Sequence, residues 1–220
     1  MAPVKVFGPV VSPNVARVVL CLEEVGVEYE IVNVEFATGE HKSPEHLQRN
    51  PFGQLPALQD GDLMLFESRA ISRHVLRKYK GSQVNQLGES NLEEAALVDV
   101  WLEVEANQYD PAIAPIIYQQ ILVPMQALGG TPDEVAIGES VGKPRKVLGV
   151  YEARLGKRRY LAGDAISLAD LRHFPHTHYV MGMSYVAVFD ELPGVRAWWQ
   201  DLMAHLAVRK VTTMMDGCSG

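Results

Sequence analysis

Cysteine is scarce in this chain, and its scarcity excludes several kinds of protein. Only Cys21 and Cys218 occur among the 220 residues, and neither belongs to a Cys-x-x-Cys pair. A disulfide framework or a thiolate zinc site needs more cysteines at closer spacing. We therefore expect a cytoplasmic protein of the cytosol, with Cys21 buried in a helix as a structural thiol and Cys218 exposed near the C-terminus.

Long hydrophobic runs and clusters of positive charge are also missing. No apolar stretch approaches the roughly 20 residues of a membrane-spanning helix, and the N-terminal sequence leads directly into a predicted strand. We therefore expect no membrane segment and no targeting peptide. The net charge is −7 without a basic run, which argues against nucleic acid or an anionic membrane as the partner. With 47% hydrophobic residues, the composition is that of an ordinary globular protein.

The first eighty residues show the patterns of alternating strands and helices. The predicted strands cover residues 4–7, 29–34, 56–58 and 63–66, and the predicted helices run from Ser12-Pro13 to Gly26 and from Ser68 to Tyr79. Serine at an N-cap followed by proline is a typical helix start, and Asp60-Gly61-Asp62 is a typical hairpin turn. The first two strands are expected to pair in parallel across a helical crossover, and a polar loop is expected over 38–48.

The rest of the chain is expected to be helical after a polar linker over 80–90. Helices are predicted over 93–108, 135–155 and 194–206, with Pro111 and Pro115 interrupting or kinking the chain after the first. Gly142, Pro144 and Gly149 disfavour a continuous helix over 135–155, so we predict that this helix starts near Pro144, with a kink at Pro144 as the alternative. Pro175 is expected to kink a helix that follows Ser167. Ser167 and Asp170 form a predicted capping box. These patterns predict two domains, residues 1–81 and 90–220.

One stretch, residues 50–58, has the features of a receptor for a small peptide. Leu55-Pro56 stands at the mouth of a strand, where we expect a cis peptide bond that leaves the backbone of Leu55 open to an extended peptide. Glu67-Ser68 follows after the hairpin. The Glu67 carboxylate can bind an ammonium group of the ligand, and the N-terminus of the helix that begins at Ser68 can bind a carboxylate of the ligand. These groups together predict a site for a peptide with free ends.

The order of the motifs resembles that of a known family. Ser12, His41-Lys42, Gln54-Leu55-Pro56 and Glu67-Ser68 precede an all-helical half with its Ser-Leu-Ala-Asp box, and this arrangement resembles the soluble glutathione transferases. Residues 40–47, 50–54 and 151–155 look like the plant phi class in particular.

The resemblance implies a fold, a reaction and partners. The implied fold is a thioredoxin-like N-terminal domain of βαβαββα order with a helical C-terminal domain, assembled as a homodimer. The implied reaction joins the thiol of glutathione, a co-substrate, to hydrophobic electrophiles such as xenobiotics and herbicides, and some members reduce organic hydroperoxides. No permanently bound cofactor is implied. Three closely spaced histidines, His173, His176 and His178, do not share one helical face, so we expect no metal site.

Ser12 is the catalytic residue that the resemblance implies. Its hydroxyl would donate a hydrogen bond to the glutathione sulfur beside a helix N-terminus, with Arg17 adding positive field. A thiol of pKa roughly 8.5 is mostly protonated at neutral pH, although the thiolate is the nucleophile. Lowering that pKa by about two units requires about 2.7 kcal/mol of preferential thiolate stabilisation.

The other implied contacts are distributed along the bound peptide. His41 and Lys42 would lie near the glycine carboxylate, Leu55 would pair with the cysteinyl backbone beside the structural residue Pro56, and Gln54 would add its side-chain amide. Glu67 and Ser68 would hold the γ-glutamyl ammonium and carboxylate. The glutathione-binding set is therefore Ser12, His41, Lys42, Gln54, Leu55, Glu67 and Ser68, and the implied electrophile site comprises Val11, Pro13, Phe36, Tyr118 and Leu122.

Purely structural roles for these residues, and other functions for the protein, remain as alternatives. Ser12 and Ser68 alone predict helix N-caps, Glu67 predicts a charge at a strand end, and His41-Lys42 predicts a solvated loop. A protein that carries glutathione conjugates or flavonoids without turnover is the alternative to an enzyme. A thiol-disulfide oxidoreductase would need a cysteine where Ser12 stands.

Overall fold

The structure is a computed structural model that describes residues 3–81, 85–123, 130–131, 133, 142–183 and 187–217. The chain divides into two units, of which Met1–Val84 with Leu206–Gly220 forms the first and Asn85–His205 the second. The sequence predicted domains over 1–81 and 90–220. The division falls inside the predicted linker, but the segment after His205 is counted with the first unit.

The secondary structure comprises four strands and a larger number of helices over the described residues. The strands are β1 (Val4–Phe7), β2 (Tyr29–Val32), β3 (Ala57–Asp60) and β4 (Leu63–Phe66). The helices are α1 (Pro13–Val25), α2 (Pro44–Arg49), α3 (Ser68–Tyr79), α4 (Leu92–Val104), α5 (Asp110–Ile117), α6 (Gly142–Leu155), α7 (Leu168–Leu171), α8 (Phe174–Met181), α9 (Ala187–Asp190), α10 (Pro193–Ala204) and α11 (Leu206–Gly217).

A mixed four-stranded sheet in the order β2-β1-β3-β4 forms the centre of the first unit. β1 pairs in parallel with β2, β3 lies antiparallel to β1, and β4 lies antiparallel to β3. The predicted strands, the parallel pair and the hairpin are confirmed, although β2 ends at Val32, two residues earlier than predicted. Central Val6 and Leu58 are fully buried and lie opposite each other on β1 and β3.

Helices α1 and α3 pack against each other beside this sheet. Val15, Val18, Val19 and Leu22 of α1 are fully buried, at the spacing that puts side chains on one helical face. Burying a valine or leucine side chain contributes about 1.5–3 kcal/mol relative to leaving it exposed. Cys21 is fully buried on the same helix, as predicted, whereas Cys218 lies outside the described residues.

The segment predicted as a polar loop over 38–48 is partly helical. It contains a 3₁₀ turn, Glu40–Lys42, followed by α2. Ser43 caps α2, since its Oγ accepts the backbone N–H of His46 at 3.2 Å, and Pro44 occupies the first turn. With α2, the element order of the N-terminal part is βαβαββα.

The sequence predicted a last helix over 194–206, and this prediction was wrong at its end. The chain leaves the helical conformation at His205, which has φ −68° and ψ 135°. A further helix, α11, then packs against α1. Lys210 of α11 forms an ion pair with Glu23 of α1 at 2.7 Å, and Glu23 also accepts the hydroxyl of Tyr29 at 2.7 Å.

Helices α4 to α10 make up the described part of the second unit. The chain stays helical from α4 through α5, with π-helical segments at Glu105–Tyr109 and Tyr118–Leu122. Pro111 lies in the first turn of α5 and Pro115 inside it, so these prolines do not end the helical path. Pro144 falls in the first turn of the described helix α6; most of the predicted helix before it lies outside the described residues.

Pro175 starts a helix instead of kinking one. α7 ends at Leu171, and Pro175 stands in the first turn of α8. Backbone N–H groups of a first turn have no acceptor within the helix, so proline, which lacks an N–H, is tolerated there. The capping box before α7 is confirmed, since Asp170 Oδ2 accepts the backbone N–H of Ser167 at 2.9 Å and its hydroxyl at 2.8 Å.

The same carboxylate also anchors two neighbouring segments. Its Oδ1 accepts the backbone N–H of Leu161 at 2.9 Å and Trp198 Nε1 at 3.0 Å. Asp170 is fully buried, and these bonds offset part of the cost of its desolvation, which still raises the pKa of the carboxyl. None of the described helices combines the length and apolar character needed to cross a lipid bilayer.

Candidate functional site

Ser12 stands at the N-terminus of α1 with its hydroxyl unused by that helix. The residue occupies the N-cap position in extended conformation, yet its side chain forms no cap hydrogen bond. Its backbone is held instead, because its N–H donates to the carbonyl of Pro9 at 3.0 Å and its carbonyl accepts from Ala16 at 2.9 Å. A half-buried hydroxyl therefore lies where the partial positive charge of a helix end favours an anion.

Arg17 links the N-terminus of α1 to that of α3. Its guanidinium donates to Ser68 Oγ at 2.9 Å and to Asn14 Oδ1 at 2.5 Å, and both Arg17 and Ser68 are buried. The sequence assigned Arg17 a field effect at Ser12, and the structure adds a direct contact with Ser68. Because Arg17 only donates, the Ser68 hydroxyl accepts this bond and directs its own hydrogen to Asn14 Oδ1, in a long contact of 3.5 Å.

Glu67 has an uncommon backbone conformation at the junction of β4 and α3. Its φ is +71°, and it is the one non-glycine residue with a positive φ in the described part of the chain. The residue is exposed and forms no side-chain cap bond to α3. Such conformations cost roughly 1–3 kcal/mol and concentrate at functional sites, which agrees with the ligand-binding role predicted for Glu67.

The loop before β3 is held by side chains of α2 and its C-terminus. The carbonyl of Gln54 accepts His46 Nε2 at 3.0 Å and Asn50 Nδ2 at 2.9 Å. Asn50 Oδ1 also accepts the backbone N–H of Phe52 at 3.1 Å. Both lone pairs of the Gln54 carbonyl are thus used, and the Leu55-Pro56 bond that follows is cis, as predicted.

Leu55 presents its backbone beside the loop that leads to Ser12. Its N–H and carbonyl form no hydrogen bond with any residue that the structure describes. Its side chain lies against Gly8, where an added Cβ would come within 3.3 Å of Leu55 Cβ and 2.8 Å of Val15 Cγ2. The peptide groups of Leu55 are therefore available to an extended ligand.

His41 and Lys42 lie on the 3₁₀ turn, close to this loop. Lys42 Nζ donates to the carbonyl of Phe52 at 3.0 Å. Gly53 has φ +57°, and a Cβ there would lie 2.8 Å from Lys42 Cδ and 2.9 Å from the carbonyl oxygen of His41, so only glycine fits. The His41 ring stacks on Phe36 with centroids 4.4 Å apart. Burial lowers the pKa of His41, and the charges of Lys42 and His46 lower it further.

The predicted residues thus form two connected groups in the first unit. Arg17 and Asn14 join Ser68 to α1, the helix that follows Ser12, while His41 and Lys42 adjoin the Gln54–Leu55 loop. The arrangement offers a hydroxyl and a helix N-terminus for an anion, open backbone groups for a peptide, and a cationic side chain for a carboxylate. Sequence reasoning missed His46 and Asn50, although the Ser43-Pro44 start of α2 was a detectable signal.

The residues predicted for the electrophile site fall in both units. Val11, Pro13 and Phe36 belong to the first unit, and Tyr118 and Leu122 to the second. Phe36 and Tyr118 are 39% and 47% exposed, as an apolar binding surface requires. The backbone of Leu122 lies in the second π-helical segment, and its side chain is outside the described residues. Their grouping stays a prediction.

His173 is part of the core of the second unit. Its Nδ1 donates to the carbonyl of Ala169 at 2.6 Å, and its Nε2 accepts the hydroxyl of Tyr151 at 2.8 Å. Both ring nitrogens are therefore used within the fold.

Family models match most of the chain. The model "Glutathione S-transferase, N-terminal domain" covers residues 2–77, and "Glutathione S-transferase, C-terminal domain" covers 110–205. The probable glutathione S-transferase GSTF1 of Oryza sativa subsp. japonica is 60% identical over 98% of this chain and 98% of its own length. Glutathione S-transferase 1 of Zea mays is 56% identical over 98% of each chain.

Solved structures agree in fold. Glutathione S-transferase I bound with lactoylglutathione has a TM-score of 0.90 and 56% identity over 97% of this chain and all of that chain. Glutathione S-transferase I from mais in complex with an atrazine glutathione conjugate has a TM-score of 0.90 and 55% identity over 98% of this chain and 99% of that chain. The glutathione transferase F7 from Populus trichocarpa has a TM-score of 0.92 and 46% identity over 96% of this chain and 99% of that chain. The predicted fold class is confirmed by these matches.

Proposed function

Because the chain belongs to the glutathione S-transferase family, and within it to the plant phi class, we propose that it joins the thiol sulfur of glutathione to hydrophobic electrophiles. The enzyme class follows from relatives of 55–60% identity over nearly the whole chain. The proposal concerns the substrates and the residues that serve them. Its main support is the Ser12 hydroxyl, which stands at a helix N-terminus without a cap hydrogen bond.

Ser12 stabilises the nucleophile in this proposal. The glutathione thiol releases its proton to solvent, and the resulting thiolate accepts a hydrogen bond from the Ser12 hydroxyl beside the N-terminus of α1. The sulfur lone pair then attacks the electrophilic carbon, and the leaving group departs with the electrons of its bond. Ser12 itself is neither a base nor a nucleophile.

The remaining residues bind the peptide. Leu55 pairs with the cysteinyl backbone, and Lys42 and His41 receive the glycine carboxylate. Glu67 pairs with the γ-glutamyl ammonium, while Ser68 donates to the γ-glutamyl carboxylate in place of its long 3.5 Å bond to Asn14 Oδ1. The Gln54 side chain is exposed and adds an amide to the peptide.

The electrophile class is the finer part of the proposal. A similar enzyme has been solved with the glutathione conjugate of atrazine, which supports herbicides and other xenobiotics as substrates here. The same thiolate attacking a peroxide oxygen would give glutathione peroxidase activity toward organic hydroperoxides. We also propose a glutathione-binding domain at 1–81, a helical domain at 90–220 that completes the electrophile site, assembly as a homodimer, and a cytosolic location.

A conjugation assay separates this enzyme from a carrier protein. With glutathione and an activated aryl halide, the wild type should release halide with saturation in both substrates, and Ser12→Ala should lose most of kcat. Cumene hydroperoxide in place of the halide tests the peroxidase activity. Tight binding of a glutathione conjugate without turnover of either electrophile would instead identify a carrier.

A further inference from the structure

Phe36 contacts a predicted glutathione-binding residue, although the sequence assigned it to the electrophile site. The Phe36 and His41 rings are stacked, with centroids 4.4 Å apart and planes inclined by 14°. Phe36 remains 39% exposed, so one face of its ring covers the imidazole while much of the side chain stays accessible. A stacked aromatic pair contributes roughly 0.5–1.5 kcal/mol beyond the burial of its area.

The segment between the two rings is closed on itself and fixes their positions. The backbone N–H of Glu35 donates to Glu40 Oε2 at 2.7 Å, and the backbone N–H of Glu40 donates to the carbonyl of Glu35 at 3.0 Å. Gly39 donates to the carbonyl of Phe36 at 3.1 Å and accepts from the N–H of Lys42 at 2.8 Å. Residues 35–42 therefore form one turn that holds Phe36 and His41 face to face.

The stack is also the contact that orients the imidazole. Nδ1 of His41 is buried and has no hydrogen-bond partner among the described residues. Lys42, by contrast, is tied to the carbonyl of Phe52. Because Nδ1 is buried, Nε2 is the nitrogen of His41 that a ligand can reach, and its direction depends on the ring that lies against it.

We propose that Phe36 is a positioning residue of the glutathione site, which acts through His41 by holding its Nε2 toward the glycine carboxylate. The proposal rests on the proposed function, and it predicts that binding of this carboxylate brings a proton to His41. An imidazolium is stabilised both by the carboxylate and by the face of the Phe36 ring.

The charges around His41 support this proton uptake. Burial lowers the pKa of His41, and the charges of Lys42 and His46 lower it further, which favours the neutral imidazole in the free protein. The acids of the same turn, Glu35 and Glu40, are engaged by backbone N–H groups, since Glu35 accepts from Ala37 and Glu40 accepts from Glu35. A ligand carboxylate adds a negative charge, which favours the protonated form of the His41 imidazole.

The first test separates the two substrates kinetically. Phe36→Leu keeps an apolar side chain without an aromatic face, and Phe36→Tyr keeps the face. Phe36→Leu should raise the KM for glutathione by about three- to tenfold, the range expected for a lost stack, with kcat within about twofold. Phe36→Tyr should restore the wild-type KM. In the His41→Gln background, Phe36→Leu should change the glutathione KM no further, because its effect passes through His41.

The second test counts protons by calorimetry with S-methylglutathione, which has no thiol proton to release. Titrations at pH 7 in two buffers of different ionisation enthalpy should show uptake of a fraction of a proton by the wild type. Uptake should be absent for His41→Gln and for the probe esterified at its glycine carboxylate, and smaller for Phe36→Leu.

The possible failures are distinguishable. If Phe36→Leu raises only the KM for the electrophile, or if the wild type binds S-methylglutathione without proton uptake, the role of Phe36 is overturned and the proposed function stands. If the wild type does not bind S-methylglutathione, both are overturned.

Discussion

The carbonyl oxygen of Gln54 shows how single residues outside the predicted set hold the glutathione site. It accepts two side-chain donors, His46 Nε2 and Asn50 Nδ2. Because a carbonyl only accepts, His46 is the donor of its bond and uses Nε2 for it. Two donors on one carbonyl fix the peptide plane immediately before Leu55, whose backbone is proposed to bind the cysteinyl residue.

Substitution of His46 should therefore weaken glutathione binding without impairing the chemical step. His46→Leu removes a hydrogen bond worth about 1 kcal/mol, which corresponds to a rise of roughly fivefold in the KM for glutathione. His46→Gln places an amide donor near the position of Nε2 and should recover most of the affinity. Steady-state kinetics of both variants provide the measurement. A loss of thermal stability with unchanged KM in His46→Leu would show that the residue only supports the fold.

Some site residues could be predicted from the sequence and others could not. Ser12, Ser68 and the Leu55-Pro56 bond were predictable because each stands where an element begins, and such positions have recognisable chemistry. His46 and Asn50 were missed because α2 has only six residues and no apolar periodicity. The link from Arg17 to Ser68 joins residues 51 positions apart, and no local pattern reports such a contact.

At the scale of elements, Asp60 ties the β3–β4 hairpin to α3. Its carboxylate accepts hydrogen bonds from His74 at 2.7 Å, Lys78 at 2.6 Å and Tyr79 at 2.6 Å. Burial acts to raise the pKa of Asp60, but the bonds from Lys78, Tyr79 and His74 outweigh burial and lower the pKa to about 2. α3 begins at Ser68, so this anchor also holds the helix that carries part of the proposed site.

The pH dependence of this anchor follows from the sign of the shift. The pKa of an aspartate in an unfolded chain is about 3.9, so the contribution of Asp60 to the stability of the fold is complete above that pH. It is lost as the pH falls through the folded-state pKa of about 2. Asp60→Asn should lower the free energy of unfolding by about 2 kcal/mol near pH 7, with the difference shrinking toward acid. Urea midpoints measured between pH 7 and pH 2 check this.

Asp62→Asn is the matched control, because Asp62 lies on the same turn and is exposed. It should leave the midpoint nearly unchanged at every pH. An equal effect of the two substitutions, or an Asp60→Asn effect that does not depend on pH, would contradict the assigned role of this carboxylate.

The boundaries of helices were less predictable than their existence. The hairpin turn and the proline at the start of α1 are explicit signals, and both were predicted correctly. The break at His205 has neither glycine nor proline, and polar and apolar residues continue in helical spacing on both sides of it. Pro175 correctly indicated an interruption of the helical path. A proline is compatible with a kink within one helix or with the start of a new helix, and tertiary packing decides between the two.

At the scale of the whole molecule, the sequence patterns predicted two domains, and the family resemblance implied a homodimer. The homodimer stays a prediction of that resemblance. Sedimentation at micromolar concentration should give a species of twice the 24.4 kDa chain mass. A single species of one chain mass would remove the dimer from the proposal.

The central claim is that Ser12 and the N-terminus of α1 stabilise the glutathione thiolate, and titration of bound glutathione tests it most directly. The ultraviolet absorbance of the thiolate is followed between about pH 5 and 9 in the wild type and in Ser12→Ala, with a free thiol of pKa roughly 8.5 as reference. We predict a pKa about two units lower in the wild type, and a rise toward the free value in Ser12→Ala. A wild-type pKa that stays near the free value, or one that does not rise on substitution, would contradict the account.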